Sequence, residues 1–153
     1  MAANCIFCRI IKVHMRCQAT DDNAGEIPSM KLYDSDKTFA FLDINPLLKL
    51  TDAQSKGHAL VIPKYHGAKL TDIPDEHLTE LLPVASRIAK ASGAENFNIL
   101  QNNGRIAHQV VDHVHVHMIP KPNDQEGLGV GWPQQQGNKD ELAKLHEEMK
   151  SKM

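Results

Sequence analysis

Long hydrophobic runs are missing from this sequence: no apolar stretch approaches the roughly 18 residues that suggest a membrane span. An excess of positive charge is missing too. Lysine plus arginine number 17 against 19 for aspartate plus glutamate, a formal net charge of -2 with histidine neutral. That balance offers no grip on a long nucleic-acid backbone, so any nucleotide bound here is expected to be small. The start, MAANCIFCRII, lacks both a basic leader and a long apolar stretch ending in small residues, so secretion is not indicated. Cysteine is scarce, at three residues, and in a reducing intracellular compartment these read as thiols or metal ligands rather than disulfides. The expectation is one compact domain over residues 1–153, cytoplasmic and with the nucleus also open to it, with no membrane among its partners.

Histidine is what the chain has in quantity, nine residues, and three of them fall at every second position in HVHVHMIP, residues 113–120. In a strand alternate side chains share a face, so His113, His115 and His117 would stand in one row while Val114 and Val116 point into a core. Same-face neighbours lie roughly 6.6 Å apart, which puts the outer two about 13 Å apart, too far to ligate one ion together. A neighbouring pair could do so. One reading is a catalytic metal held by two adjacent imidazoles and a third ligand, with an open position for water. The other makes the middle imidazole a nucleophile or general base, with one neighbour on the substrate and the other supporting the site. Imidazoles can mix neutral nucleophiles with protonated donors near neutral pH, which suits a phosphoryl group. Just upstream, QNNGRIAHQ offers amides from Asn102, Asn103 and Gln109, with Gly104 permitting a tight turn.

The remaining chain reads as mixed helix and strand. CIFCRIIK is apolar at Ile6, Phe7, Ile10 and Ile11, the spacing of a short helix docked by one face, and VHMRCQATDDNAGE after it reads as a loop. MKLYDSDKTFAFLDINP gives a hairpin around Asp34, Ser35 and Asp36, with Phe39 and Phe41 as core candidates. GHALVIPK carries a buried strand from Ala59 to Ile62 that Pro63 ends. TDIPDEHLTELLPVASRIAKASG is the main helix, apolar at Leu78, Leu81, Leu82, Ala85, Ile88 and Ala89, kinked at Pro83 and stopped at Gly93. NFNILQNNG and VHVHMIP are strands, PNDQEGLGVGWPQQQGN is a loop or arm, and KDELAKLHEEMKSKM is a charged amphipathic helix. Antiparallel strands with segregated helices make an α+β domain.

Taken together, HVHVH, FAFLDINP, GHALVIPKYH, NILQNNG and HQVVDHVHVHMIPKP resemble the histidine triad (HIT) family, and within it the Hint branch of nucleoside phosphoramidate hydrolases. The resemblance implies a HIT-like fold: an antiparallel sheet of about five strands, one main helix and a C-terminal helix. It implies hydrolysis of the P–N bond of a purine nucleoside 5'-phosphoramidate through a nucleotidyl-histidine intermediate, with no catalytic cofactor. His115 would attack the α-phosphorus, with His117 and His58 beside the phosphate. Asp43 and Ile44 would hold the ribose, and Asn102, Gln109 and the backbone near Val110 would lie around the phosphate. Independently of the family, one carboxylate after a strand can accept from two vicinal hydroxyls. A dinucleoside polyphosphate hydrolase using the same histidine, or a nucleotide-binding scaffold with little catalysis, are the alternatives.

Cys5 and Cys8 form a C-x-x-C pair, a spacing open to metal binding, redox chemistry or simple packing. The resemblance implies a structural zinc completed by His66 and His113. It also implies a homodimer in which the region of Trp132 comes near the neighbouring active site. Cys17 looks incidental. The chain departs from the family pattern in two polar stretches, near 13–24 and 48–54, which read as surface loop extensions or translated intron remnants. It departs again at His108, which takes a position that is often glycine.

Overall fold

The computed structural model of the protein describes residues 4–16, 29–44, 57–131, 133 and 137–153. Cys17, Trp132, the 48–54 stretch and the part of the other extension from 17 onward lie outside the described residues. Helix α1 spans Ile6–Arg16, strands β1 and β2 span Met30–Asp34 and Thr38–Leu42, and β3 spans Ala59–Pro63. Helix α2 (Leu81–Ser92), β4 (Phe97–Gln101), β5 (Val116–Pro120) and helix α3 (Lys139–Lys150) complete the order. Short 3₁₀ turns lie at Leu70–Asp72, Asp75–His77 and Arg105–Ala107. Within the described residues, no helix is long and apolar enough to cross a membrane.

The strands form one antiparallel sheet in the order β1-β2-β3-β5-β4. Alternation along them sorts side chains onto two faces. Ala40, Val61, Val114 and Val116 meet Leu81, Val84 and Ala85 of α2 on one side. Phe39, Phe41, Leu60 and Ile62 meet Phe7, Ile10 and Ile11 of α1 on the other. Each buried Val, Leu, Ile or Phe side chain among these contributes about 1.5–3 kcal/mol through its removal from water. Because Val114 and Val116 turn toward α2, the histidines between and after them turn toward α1. That parity places the histidine cluster on the α1 face.

Several expectations are corrected in detail. The first helix continues through Val13–Arg16, into the stretch that reads as loop. Helix α2 begins at Leu81, three residues after Leu78, so Pro83 falls in the first turn. An N–H there has no intrahelical acceptor, and the proline therefore breaks no hydrogen bond and the helix runs on without a kink being required. Leu82 is 62% exposed, one step round from the buried Leu81. Gly93 closes the helix at φ +70°, a left-handed cap that glycine adopts without a side-chain clash. The most consequential difference is in HVHVH: pairing with β3 and β4 starts only at Val116, so His113 and His115 precede the strand. Pro63 at the end of β3 has no N–H to extend a ladder, and its carbonyl instead accepts a hydrogen bond from His113 Nε2 at 2.8 Å.

Candidate active site and metal centre

The stretch that leaves the sheet builds two sites. At its start, His113 turns under α1 to meet Cys5, Cys8 and His66. Its Nδ1 lies 3.5 Å from Cys5 Sγ, 3.7 Å from Cys8 Sγ and 3.2 Å from His66 Nδ1, and Cys8 Sγ lies 3.4 Å from His66 Nδ1. A tetrahedral ion with M–S near 2.3 Å and M–N near 2.0–2.1 Å would space its donors by about 3.3–3.8 Å. The four measured spacings fall on or beside that range. Tautomer chemistry fits as well: the Nε2–H of His113 is committed to Pro63, which leaves the lone pair on Nδ1, toward the sulfurs. Burial, with further repulsion from His66 and His115, holds the His113 pKa down to about 4, so the ring is neutral and able to ligate near pH 7. Cys5, Cys8, His66 and His113 thus form a donor set that fits a metal ion.

The second site opens two residues on. A cleft of about 1140 Å3 is lined by His58, His115 and His117, by Asp43 and Ile44 after β2, and by Asn102, His108 and Val110 in the loop after β4. His115 Nδ1 donates a 2.6 Å hydrogen bond to the backbone carbonyl of His113. This assigns the proton to Nδ1 and the lone pair to Nε2. Phe7 of α1 packs edge-on against the His115 ring at 5.3 Å between centroids, fixing its plane. Burial lowers the His115 pKa, with the hydrogen bond to His113 and the charge of Asp43 pulling the other way. Burial also drives His117 down to about 3, helped by the neighbouring rings of His115 and His58. His58 is lowered by burial against the opposing pull of Asp43. All three are therefore neutral near pH 7 before a ligand enters.

Around this cluster, His58 Nε2 and His117 Nδ1 lie 2.9 Å apart, sharing one proton between two nitrogens. Asp43 Oδ2 lies 3.6 Å from His58 Nδ1, close enough for attraction and too far for a hydrogen bond. Ile44 and Val110 are largely exposed along the cleft, at 63% and 79%. Gln109 lies elsewhere. Its Oε1 accepts from the Gly104 N–H at 2.6 Å, and its Nε2 donates to the carbonyls of Ala68 and Val111 at 2.5 and 2.9 Å. The side chain is buried and braces the loop rather than lining the cleft. In that loop His108 has φ +66° and ψ 19°, a left-handed conformation that glycine would adopt freely. Ile6, Phe7 and Ile10 of α1 and Leu60 of β3 form an apolar cleft wall. Apolar periodicity marks such residues as core, and no local signal separates a pocket wall from a core face.

Residues 24–124 match the HIT domain. The chain belongs to the HIT family. It is 52% identical to adenosine 5'-monophosphoramidase HNT1 of Saccharomyces cerevisiae over 151 residues, 99% of this chain and 84% of that protein. It is 49% identical to the Schizosaccharomyces pombe adenosine 5'-monophosphoramidase over 150 residues, covering 98% of each. The crystal structure of a histidine triad nucleotide-binding protein from Candida albicans superposes with a TM-score of 0.81 at 48% identity, covering 97% of this chain and 96% of that one. The HIT fold expected from the motifs, with five antiparallel strands, a main helix and a C-terminal helix, is borne out. So is the likeness to the phosphoramidase branch, since these relatives carry that activity in their names.

Proposed function

We propose that this HIT-family chain hydrolyses purine nucleoside 5'-phosphoramidates to a nucleoside monophosphate and an amine. The observation that carries the reading is the 2.6 Å bond from His115 Nδ1 to the carbonyl of His113, which leaves Nε2 as an unprotonated nucleophile in a cleft. In the first step the Nε2 lone pair forms a bond to the α-phosphorus as the P–N bond breaks, and the nitrogen leaves as an amine by taking up a proton from solvent in the cleft. In the second, water attacks the nucleotidyl-histidine and restores the imidazole. His117 and His58 act as N–H donors to the phosphate oxygens, and Asn102 and the backbone near Val110 add uncharged donors around it. Asp43 accepts from the ribose hydroxyls beside Ile44. Gln109 acts on the phosphate loop through Gly104 and Val111 rather than by contact.

Zinc is the ion proposed for Cys5, Cys8, His66 and His113, because the two-thiolate, two-imidazole set and its near-tetrahedral spacing suit it. When bound it supplies a structural link between α1 and the segment carrying His115, and no reaction step passes through it. A homodimer is proposed through β4, an edge strand that leaves Phe97 and Ile99 at 43% and 40% exposure.

The deciding experiment measures release of AMP from adenosine 5'-phosphoramidate by the purified chain and by His115→Ala, both confirmed folded, with a diadenosine polyphosphate as parallel substrate. Turnover of the phosphoramidate that is lost in the variant supports the reading. Faster turnover of the diadenosine substrate moves the assignment to P–O hydrolysis, and AMP binding without turnover moves it to a binding role.

A further inference from the structure

Asp43, His58 and His117 form a second group of possible metal ligands, separate from the cysteine-containing one: one donor atom from each lies within 4.8 Å of the others. Three features of the group point to an ion. The Asp43 Oδ2 to His58 Nδ1 spacing of 3.6 Å is too long for a hydrogen bond but close to the roughly 3.4 Å expected between two N/O ligands of one tetrahedral ion. His58 Nδ1 is buried with no hydrogen-bond partner, and the polar group it faces is the Asp43 carboxylate at 3.6 Å. On the other side of the same ring, two imidazole nitrogens face each other at 2.9 Å with a single proton between them. With that proton on His58 Nε2, the lone pair of Nδ1 faces the Asp43 carboxylate, an arrangement that a cation between them satisfies.

We propose that Asp43, His58 and His117 bind a borderline divalent transition ion, zinc, copper or cobalt, in the nucleotide-free protein, and that this ion and a nucleotide exclude one another. Two imidazoles and one carboxylate select this class over magnesium or calcium, which favour all-oxygen shells. Bringing His117 onto an ion shared with Asp43 and His58 means giving up its 2.9 Å contact with His58 Nε2 by reorienting the imidazole about a broad torsion. The cleft supplies both the entry path and room for water at the remaining position. The mutual exclusion rests on the reading above, in which the same three side chains hold phosphate and ribose. Metal binding itself does not depend on it.

Cobalt(II) titration of the metal-stripped full chain tests this, because thiolate ligation gives an intense sulfur-to-cobalt absorption that oxygen and nitrogen ligands lack. The expected result is binding at two classes of site. The equivalent without thiolate absorption is displaced by saturating AMP, and is lost in both His117→Ala and Asp43→Asn while the thiolate absorption persists. An AMP-insensitive non-thiolate equivalent, one retained in both variants, or none at all in the wild-type chain overturns the proposal. Phosphoramidate turnover followed in the same titration separates the two readings. Loss of turnover as the second site fills supports the exclusion, whereas a chain with no turnover but AMP-displaceable cobalt keeps the metal site and removes the hydrolase assignment.

Discussion

His113 and His115 are coupled through the backbone between them: the ring of His113 joins the cysteine cluster while its carbonyl accepts the Nδ1–H of His115 at 2.6 Å. One residue thus contributes its side chain to a candidate metal centre and its main chain to the tautomer of His115, the proposed nucleophile. Moving His113 therefore disturbs the proton assignment of His115 even though their rings serve different sites.

A first prediction concerns that coupling. Replacing Cys8 with serine, or stripping the metal with a chelator, is expected to lower the thermal midpoint and to reduce kcat by roughly 10- to 100-fold, the usual cost of disturbing an orienting shell. KM should change little, since neither Cys5 nor Cys8 lines the cleft. Steady-state kinetics beside a calorimetric melt check this. A chelated chain with unchanged kcat and midpoint would remove the link between the two sites.

Gln109 supports a second prediction. Its amide satisfies the Gly104 N–H and the carbonyls of Ala68 and Val111 while almost wholly buried. Gln109→Ala removes the partner of the Gly104 N–H and of the Ala68 carbonyl, while the Val111 carbonyl keeps the His113 N–H at 2.8 Å, and an unsatisfied buried group costs about 1–3 kcal/mol. Urea unfolding should show a loss of about 2–4 kcal/mol after the lost packing is included. Turnover should fall as well, because the same loop carries Asn102 and Val110. Gln109→Glu should be no milder, since a carboxylate cannot donate to Ala68 and Val111.

His108 predicts a change of the opposite sign. A side chain held at φ +66° pays a steric cost of about 1–2 kcal/mol, while glycine accepts the conformation but loses more chain entropy on folding. His108→Gly is expected to stabilise the protein by about 0.5–1 kcal/mol, and His108→Val to destabilise it, because a β-branched residue tolerates the left-handed region least. Equilibrium denaturation of the two variants against the parent measures both signs together.

The two faces of the sheet were legible from alternation alone: Phe39, Ala40 and Phe41, or Val114 and Val116, sort correctly without knowledge of what they pack against. The hairpin at Asp34–Asp36, the stop at Pro63 and the cap at Gly93 were legible for the same reason, since each is set by residues within one turn of it. What escaped depends on distant partners. The start of β5 at Val116 is decided by pairing with β3 and β4, and the role of Gln109 by the carbonyl of Ala68, 41 positions away. The wall formed by Ile6, Phe7 and Ile10 escaped because an apolar helix face looks alike whether it meets a core or a ligand. Leu82 escaped because the helical period has no phase marker when both Leu81 and Leu82 are apolar.

The buried histidines make stability depend on pH in a definite direction. In the unfolded chain an imidazole titrates near 6.5, whereas burial among His115 and His58 holds His117 down to about 3 in the folded protein. Between those values the unfolded state binds the proton and the native state does not, so stability rises with pH in this window. The contribution is fully present above about pH 6.5 and is lost progressively as pH falls toward 3. Burial lowers His58 and His115 in the same direction, adding to the slope. From pH 7 to pH 5, His117 alone should remove about 1–2 kcal/mol, taking about 1.4 kcal/mol per pH unit below the unfolded pKa. His117→Gln keeps a polar side chain of similar reach but cannot titrate, so its urea midpoint should fall less over the same interval. Phosphate or AMP should weaken the trend in the parent, because a bound anion favours the protonated ring and raises its folded-state pKa. Parallel pH slopes in parent and variant would mean that His117 is not among the groups setting acid stability.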